Sequence, residues 1–443
     1  MEFEAEQAPD ADEWERLKGK IVDLRATFPV HIRRVRQIPA EAMEEYLKFR
    51  DLWEVPREHR GAVYNELRHR LVCIVRKELR EKAKLYMSNS KTLQVGKFEC
   101  DYETLKTTKL IGMTTTGLSK YRGLVSALKP HVVVIEEAAE VIEAPVAVAC
   151  FESLQHLILV GDHKQLKGHC AVHDLADEPY NLDVSMFERL VQNNFPFVML
   201  KEQRRMAPEI RRLLNPIYDE LEDHESVSKF EPVPGMGDLR AFFCDHTWPE
   251  VDDSLTSKVN EIEALLVCEL YCYLCLNGVP SNKITILTFY NGQRKKILKM
   301  LMDNENTRRH DPMVVTVDSY QGEENDIVIL SLVRSRDRQS DGIGFLAVDN
   351  RVCVALSRAR RGLYIFGNSQ HLAAASELWK QIKSILEVGE QGVPRIGNGI
   401  FVTCKHGKTM TMSCEFARLP LRLSDTFITL SFHENSPHVY GIY

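Results

Sequence analysis

At 443 residues, with 44% hydrophobic and 27% charged residues and a formal net charge of −6, the chain has the make-up of a globular protein of two or three domains. That balance excludes a chain that is basic throughout, so any nucleic-acid binding has to use a local groove. No run of about 18 apolar residues exists, which argues against a membrane span, and the acidic start MEFEAEQAPDADEWE lacks the order of a signal peptide. Eleven cysteines lie scattered through apolar runs, among them Cys73, Cys150, Cys268, Cys272 and Cys353. They read as reduced core thiols and point to a cytoplasmic or nuclear, reducing compartment.

Residues 1–12 are acidic, poor in large apolar groups and read as disordered. Residues 13–90 are helical by pattern. In the last stretch, Leu67, Leu71, Ile74, Val75 and Leu79 recur at three and four, which predicts one packed face and one wet face. The basic side of that helix reads first as a solvated face and second as a contact for a nucleic-acid backbone. From Lys109 the alternation changes. Leu110–Thr116 and His131–Ile135 read as strands, and Glu136-Glu137-Ala138-Ala139-Glu140 is expected to open a helix after the second. Leu157–Val160 is a third strand with the loop Gly161–Leu166, and Val198–Leu200 a fourth that leads into Lys201–Pro208. In doubly wound sheets ligands gather at the carboxyl ends of strands, where the acidic pair lies.

Further on, Asn260–Leu276 is an amphipathic helix whose Cys268, Cys272 and Cys275 fit core packing better than metal binding. Two short apolar strands, Met313–Val317 and Asp326–Val333, flank the polar turn Asp318–Asn325. Asn350–Arg361 reads as a helix carrying Arg351, Arg358, Arg360 and Arg361, followed by a strand, Gly362–Phe366. Arginines so placed suit a phosphate that gains charge during reaction, because the guanidinium stays charged and binds bidentately. Residues 371–388 form an amphipathic helix. The tail 391–443 is Gly-rich and then β-rich; Cys404, His406 and Cys414 fall one ligand short of a zinc site unless His433 or His438 joins, and no metal is expected there.

These loops resemble, in order, the motifs of superfamily 1 helicases. EEAAE (136–140) is similar to the Walker B box, GDHKQL (161–166) to motif III, and QRRMAPEI (203–210) to the start of a second RecA-like lobe. ITILTFYNGQRKKI (284–297) resembles motif IV, VDSYQGEENDIVILSLVRS (317–335) motif V, and NRVCVALSRAR (350–360) motif VI. GMTTTG (112–117) is a weaker match to a strand-contacting motif. The spelling is nearest to RNA helicases of the up-frameshift type, in the branch that carries NFX-type zinc fingers. The resemblance implies an α/β fold of two RecA-like parallel-sheet lobes, the first incomplete. The expected division is a helical segment (1–108), lobe 1 (109–203), lobe 2 (204–385) and a β-rich extension (386–443).

By the same resemblance the cofactors are ATP and Mg²⁺ and the partner is single-stranded RNA, with DNA as the alternative. Glu136 takes the place of the Mg²⁺-linked acid, Glu137 handles the attacking water and Gln165 senses the γ-phosphate. Arg205 and Arg358 match the arginines that reach the phosphates. Glu324 matches the ribose contact, beside Gln321 and Gly322, and Arg204 stands where an aromatic residue often stacks on the base. Thr114, Thr115, Tyr290, Asn291 and Thr316 match strand-contacting positions; a packed turn residue is the other reading of Tyr290. Glu140 reads as a solvated helix start.

A phosphate cradle of the form Gly-x4-Gly-Lys-Ser/Thr is missing from these 443 residues. Gly19-Lys20 precedes Ile21, Gly96-Lys97 precedes Phe98, and Gly407-Lys408-Thr409 has Val402 where the first glycine belongs. The expectation is therefore a fragment or a degenerate relative, with helicase activity weakened or lost, or else a non-enzymatic RNA-binding scaffold.

Overall fold

The computed structural model describes residues 37–170, 172–176, 178–253, 257–335, 342–389, 392–403 and 409–413. These fall into two compact units divided between Thr108 and Lys109. The expected disorder of 1–12, the helical reading of 13–36 and the zinc-ligand question at Cys404, His406, Cys414, His433 and His438 lie outside the described residues.

The first unit holds a short helix, α1 (Ala40–Tyr46), and a 46-residue helix, α2 (Arg60–Leu105). Their junction is tied by Tyr46 Oη and His59 Nδ1 at 2.9 Å and by Arg60, which donates to the Val55 carbonyl and lies over the Trp53 ring. Only Ala62 and Val63 of α2 are buried. The packed face expected at Leu67, Leu71, Ile74, Val75 and Leu79 is exposed instead, from 37% at Leu67 to 65% at Leu79. Burial in α2 stops within its first turn, so its apolar periodicity finds no surface to pack on among the described residues of this unit. Cys73 is exposed with it, and Cys150 is exposed in the second unit, so neither is a core thiol.

The second unit opens with α3 (Thr115–Leu128), not with a strand. Thr114 caps it, its hydroxyl accepting from Gly117 N at 3.0 Å, and this turns the expected strand Leu110–Thr116 into a helix start. Then follow β1 (Val132–Ile135), α4 (Glu143–Val148), β2 (His156–Leu159) and α5 (Met186–Gln192). β1 and β2 pair in parallel, Val132 opposite His156 and Ile135 opposite Leu159. Ile135, Ala138, Val146 and Ala149 make a small core on one side. Val198 and Leu200 are not a strand: they are 92% and 86% exposed and have no strand partner.

The second lobe has strands β3 (Ala241–Asp245), β4 (Ile284–Thr288), β5 (Met313–Thr316), β6 (Asn325–Ser331), β7 (Ala359–Gly367) and β8 (Ile396–Gly397). They form one six-stranded sheet in the order β8-β3-β7-β6-β4-β5, parallel at every pairing. Helices α6 (Glu261–Leu276) and α7 (Asn291–Asp303) cover one face. Helices α8 (Asp349–Leu356), α9 (Ser369–Ala375) and α10 (Glu377–Val388) cover the other. Side chains alternate between the two cores: Ile327 and Ile329 face one, Val328 and Leu330 the other. Cys268 and Cys272 are buried among the apolar residues of α6. A hairpin, β9 (Gly399–Thr403) with β10 (Thr409–Ser413), follows.

Two boundaries differ from the periodicity. The arginine-bearing helix stops at Leu356, and β7 begins at Ala359, because Ser357 leaves helical geometry and Arg358 turns back to donate to the Val354 carbonyl. The amphipathic run 371–388 is broken at Ser376, which is extended and caps α10 through Trp379 N.

Candidate functional site

The acidic turn after β1 is the first component. Glu136–Glu140 form turns and the next helix starts only at Glu143, so the expected helix opening is not there. Glu137 has φ +49°, a left-handed conformation uncommon for a residue with a Cβ. It is held because Ala138 N donates to the Val160 carbonyl at 2.9 Å and Gly161 lies against the same turn. A Cβ at Gly161 would stand 2.9 Å from Ala139 N, so only glycine lets the β2 loop approach this closely. Glu136 is exposed and Glu137 half-buried.

The opposite wall comes from the second lobe. Gln321 Nε2 donates to Glu137 Oε2 at 3.2 Å, with the neighbouring Gly322 at φ +78°. Arg358 is 1% exposed, and its guanidinium donates to four neutral acceptors: the carbonyls of Val354 and Glu323, Ser357 Oγ, and Gln165 Oε1 across the cleft at 2.9 Å. No carboxylate lies within ion-pair distance of it among the described residues. Burial first, and the neighbouring Arg205 second, bring its pKa down to about 10, so it stays charged at neutral pH. Arg205 pairs with Glu324 and reaches the Ser357 carbonyl at 3.3 Å; Arg360 reaches Glu324 at 3.7 Å from the other side.

Gln165, Gln321, Glu137 and Arg358 join the two walls as expected partners in the cleft, but pattern reading missed Asp162, Tyr218 and Asn350, which join them as well. Gln165 Nε2 donates to Asp162 Oδ2 at 3.0 Å, and the Tyr218 hydroxyl donates to the same oxygen. Tyr218 also meets Cys353 Sγ at 3.2 Å, burial raising both groups, the thiol to about 12. Asn350 donates to the carbonyls of His163 and Gln165. Arg351 and Asp318 form a 2.8 Å pair beside them. Asp162 and Asn350 stood inside recognisable motifs; Tyr218, 56 residues from Asp162, carried no local signal.

Of the other expected site residues, Arg204 is exposed and lies 3.9 Å from Glu202. Thr114 is exposed at the start of α3 and Thr115 is half-buried. Asn291 is exposed at the start of α7, and Thr316 at the end of β5 is half-buried with its hydroxyl 3.0 Å from Ser319 Oγ. Tyr290 departs from expectation: it is 5% exposed, packed 5.5 Å from Phe345, and forms part of the core.

Two parallel-sheet lobes opposing an acidic turn to paired arginines define a two-lobed helicase-type core. Sequence models described as AAA domain match residues 31–170 and 182–370. "Helicase required for RNAi-mediated heterochromatin assembly 1" of Schizosaccharomyces pombe is 39% identical over 393 residues, 89% of this chain and 39% of that protein. "NFX1-type zinc finger-containing protein 1" of Homo sapiens is 38% identical over 425 residues, covering 94% of this chain and 21% of the relative. A "Regulator of nonsense transcripts 1 homolog" of Neurospora crassa is 31% identical over 295 residues, 64% of this chain and 26% of its own length. The chain belongs to the superfamily 1 helicases of the up-frameshift-like type, in the NFX-type branch. It spans between about a fifth and two fifths of the length of these relatives.

Proposed function

We propose that this chain carries the NTPase core of an RNA helicase, with ATP and Mg²⁺ in the cleft between the lobes and single-stranded RNA across the lobe surfaces. One observation carries this reading: Arg358 is a buried cation without a carboxylate, aimed at the opposite lobe. Such a charge is costly to bury alone, and an incoming polyanion offsets that cost. Arg205 adds a second positive group beside it.

For a nucleoside triphosphate with its metal, the donor set fits the terminal phosphate. Arg205 and Arg358 balance charge that develops on the phosphoryl oxygens, and Glu137 orients or deprotonates the water. Glu136, which is exposed, would hold Mg²⁺, and the metal would supply charge neutralisation there. Gln165 links that end of the cleft to Arg358, Glu324 would take the ribose, and Arg204 would lie flat on a base. A cradle of backbone N–H groups for the inner phosphates is not supplied by these 443 residues, so weak nucleotide affinity is expected of the chain as it stands.

The test is RNA-stimulated ATP hydrolysis by the purified chain and by Glu137→Gln. A loss of about 10²-fold or more in the variant is expected if the chain turns over; equal rates remove the catalytic role. The missing cradle sequence favours a second reading, a scaffold that binds RNA without hydrolysis. That reading requires RNA affinity indifferent to ATP. RNA and DNA strands of equal sequence, compared side by side, separate an RNA-directed from a DNA-directed protein through the 2′-hydroxyl.

A further inference from the structure

The long helix of the first unit carries a charge pattern that the cleft does not use. Between Arg68 and Lys97, nine lysines and arginines stand against two glutamates, in a chain whose overall charge is −6. At 3.6 residues per turn, Arg76, Lys77, Arg80, Lys84 and Lys91 fall within about 100° of one another on one side of α2 and run about 22 Å along its axis. All five are exposed, and none has a carboxylate within ion-pair distance among the described residues. Arg70, by contrast, is held by Glu44 and Glu66 at the base of the same stripe.

A solvated helix is ordinarily laced with opposite charges three and four residues apart. Here Glu81, four residues after Lys77 and three before Lys84, is the one acid at such a spacing inside the row and pairs with neither, so five cations stand open, and an external polyanion would relieve their self-repulsion. The other side of α2 is unsuited to a lipid surface. Leu71, Ile74, Val75 and Leu79 share it with Arg68, Glu78 and Lys82, and these charges would have to enter the apolar layer.

From this geometry we infer that α2 is a second nucleic-acid contact, in which Arg76, Lys77, Arg80, Lys84 and Lys91 grip the phosphate backbone of RNA independently of base sequence. The inference goes beyond the cleft reading and does not need nucleotide to bind.

The experiment uses the full chain and a variant with all five residues changed to Gln, a residue of similar helix propensity, so that far-ultraviolet circular dichroism reports whether α2 persists. Fluorescence anisotropy with labelled single-stranded RNA and with an RNA duplex is measured between about 50 and 300 mM salt. The parent should bind at least one form. The variant should bind it roughly tenfold more weakly near 100 mM salt, with a logarithmic salt slope shallower by about 3. An unchanged slope with helicity retained overturns the inference, as does a parent that binds neither form at the lowest salt. Binding of the parent to phosphatidylserine vesicles that the five changes abolish, with RNA binding intact, would reassign the stripe to a membrane and also overturns it. The shift of the parent's unfolding midpoint caused by Mg²⁺-ATP is measured in parallel and should be the same in the five-residue variant, so failure of the cleft reading is read separately.

Discussion

Arg358 shows how one side chain can be expensive for the fold and still be kept. Its guanidinium is fully buried, all its partners are neutral, and Arg205 is a like charge close by. If its purpose is to meet an anion, Arg358→Met should leave the thermal unfolding midpoint unchanged or raised, because it removes the desolvation cost of a buried charge that neutral hydrogen bonds only partly offset. The same variant should lose any shift of that midpoint caused by Mg²⁺-ATP. A midpoint lowered by several degrees would mean that its hydrogen bonds are structural instead. The motif around Arg358 was legible, because its residue types occur together in a short window. Tyr218 was not, because its role depends on Asp162 and Cys353, which only folding brings to its hydroxyl.

At the scale of elements, the cleft depends on loops that approach one another through glycine. Gly161 touches the backbone of Ala138 and Ala139, so Gly161→Ala must push the β2 loop off the acidic turn. A cost of about 1–3 kcal/mol in urea unfolding is expected, with a shift in the amide resonances of Glu136 to Glu140. A second element-scale device holds the other end of β6. Val333 sits at φ +72°, and its N–H is fixed by both oxygens of Glu263, which also accepts from Ser331 and lies 2.8 Å from His246 Nε2. The strain ends β6 two residues before the expected Val333. Glu263→Leu would leave those donors unsatisfied and should cost about 3–5 kcal/mol, read as a fall in the urea midpoint at constant slope. A smaller loss, under about 1 kcal/mol, would mean that the strand end is held by packing alone. The glutamate itself looked like an ordinary early-helix acid in the sequence; its partners lie up to 70 residues away.

For the whole molecule, the prediction concerns where a ligand is felt. If Mg²⁺-ATP binds between the lobes, amide exchange should slow in Glu136–Gln165, Arg205–Tyr218 and Gln321–Arg358 and stay unchanged along Arg60–Leu105. Protection confined to α2, or spread evenly over the chain, would count against the cleft. Periodicity found β5, β6 and β7 of the second lobe, the last two being apolar runs in the buried middle of the sheet, and did not single out β3, β4 or β8. It failed for Leu110–Thr116 and Val198–Leu200, where β-prone residues have no neighbouring strand to pair with among the described residues, and for α2, whose apolar stripe is exposed.

The order and spelling of the loops from Glu136 to Arg358 determined the family and the two-lobed plan, since those residue types are needed at fixed places along the chain. Tertiary structure alone decided which of them meet. It set Gln165 against Arg358 and Gln321 against Glu137, withdrew Tyr290 into the core, and left the cations of α2 facing outward. The reason is physical: local pattern fixes backbone preference and face, whereas contact across a cleft depends on how separate layers of the molecule close upon each other.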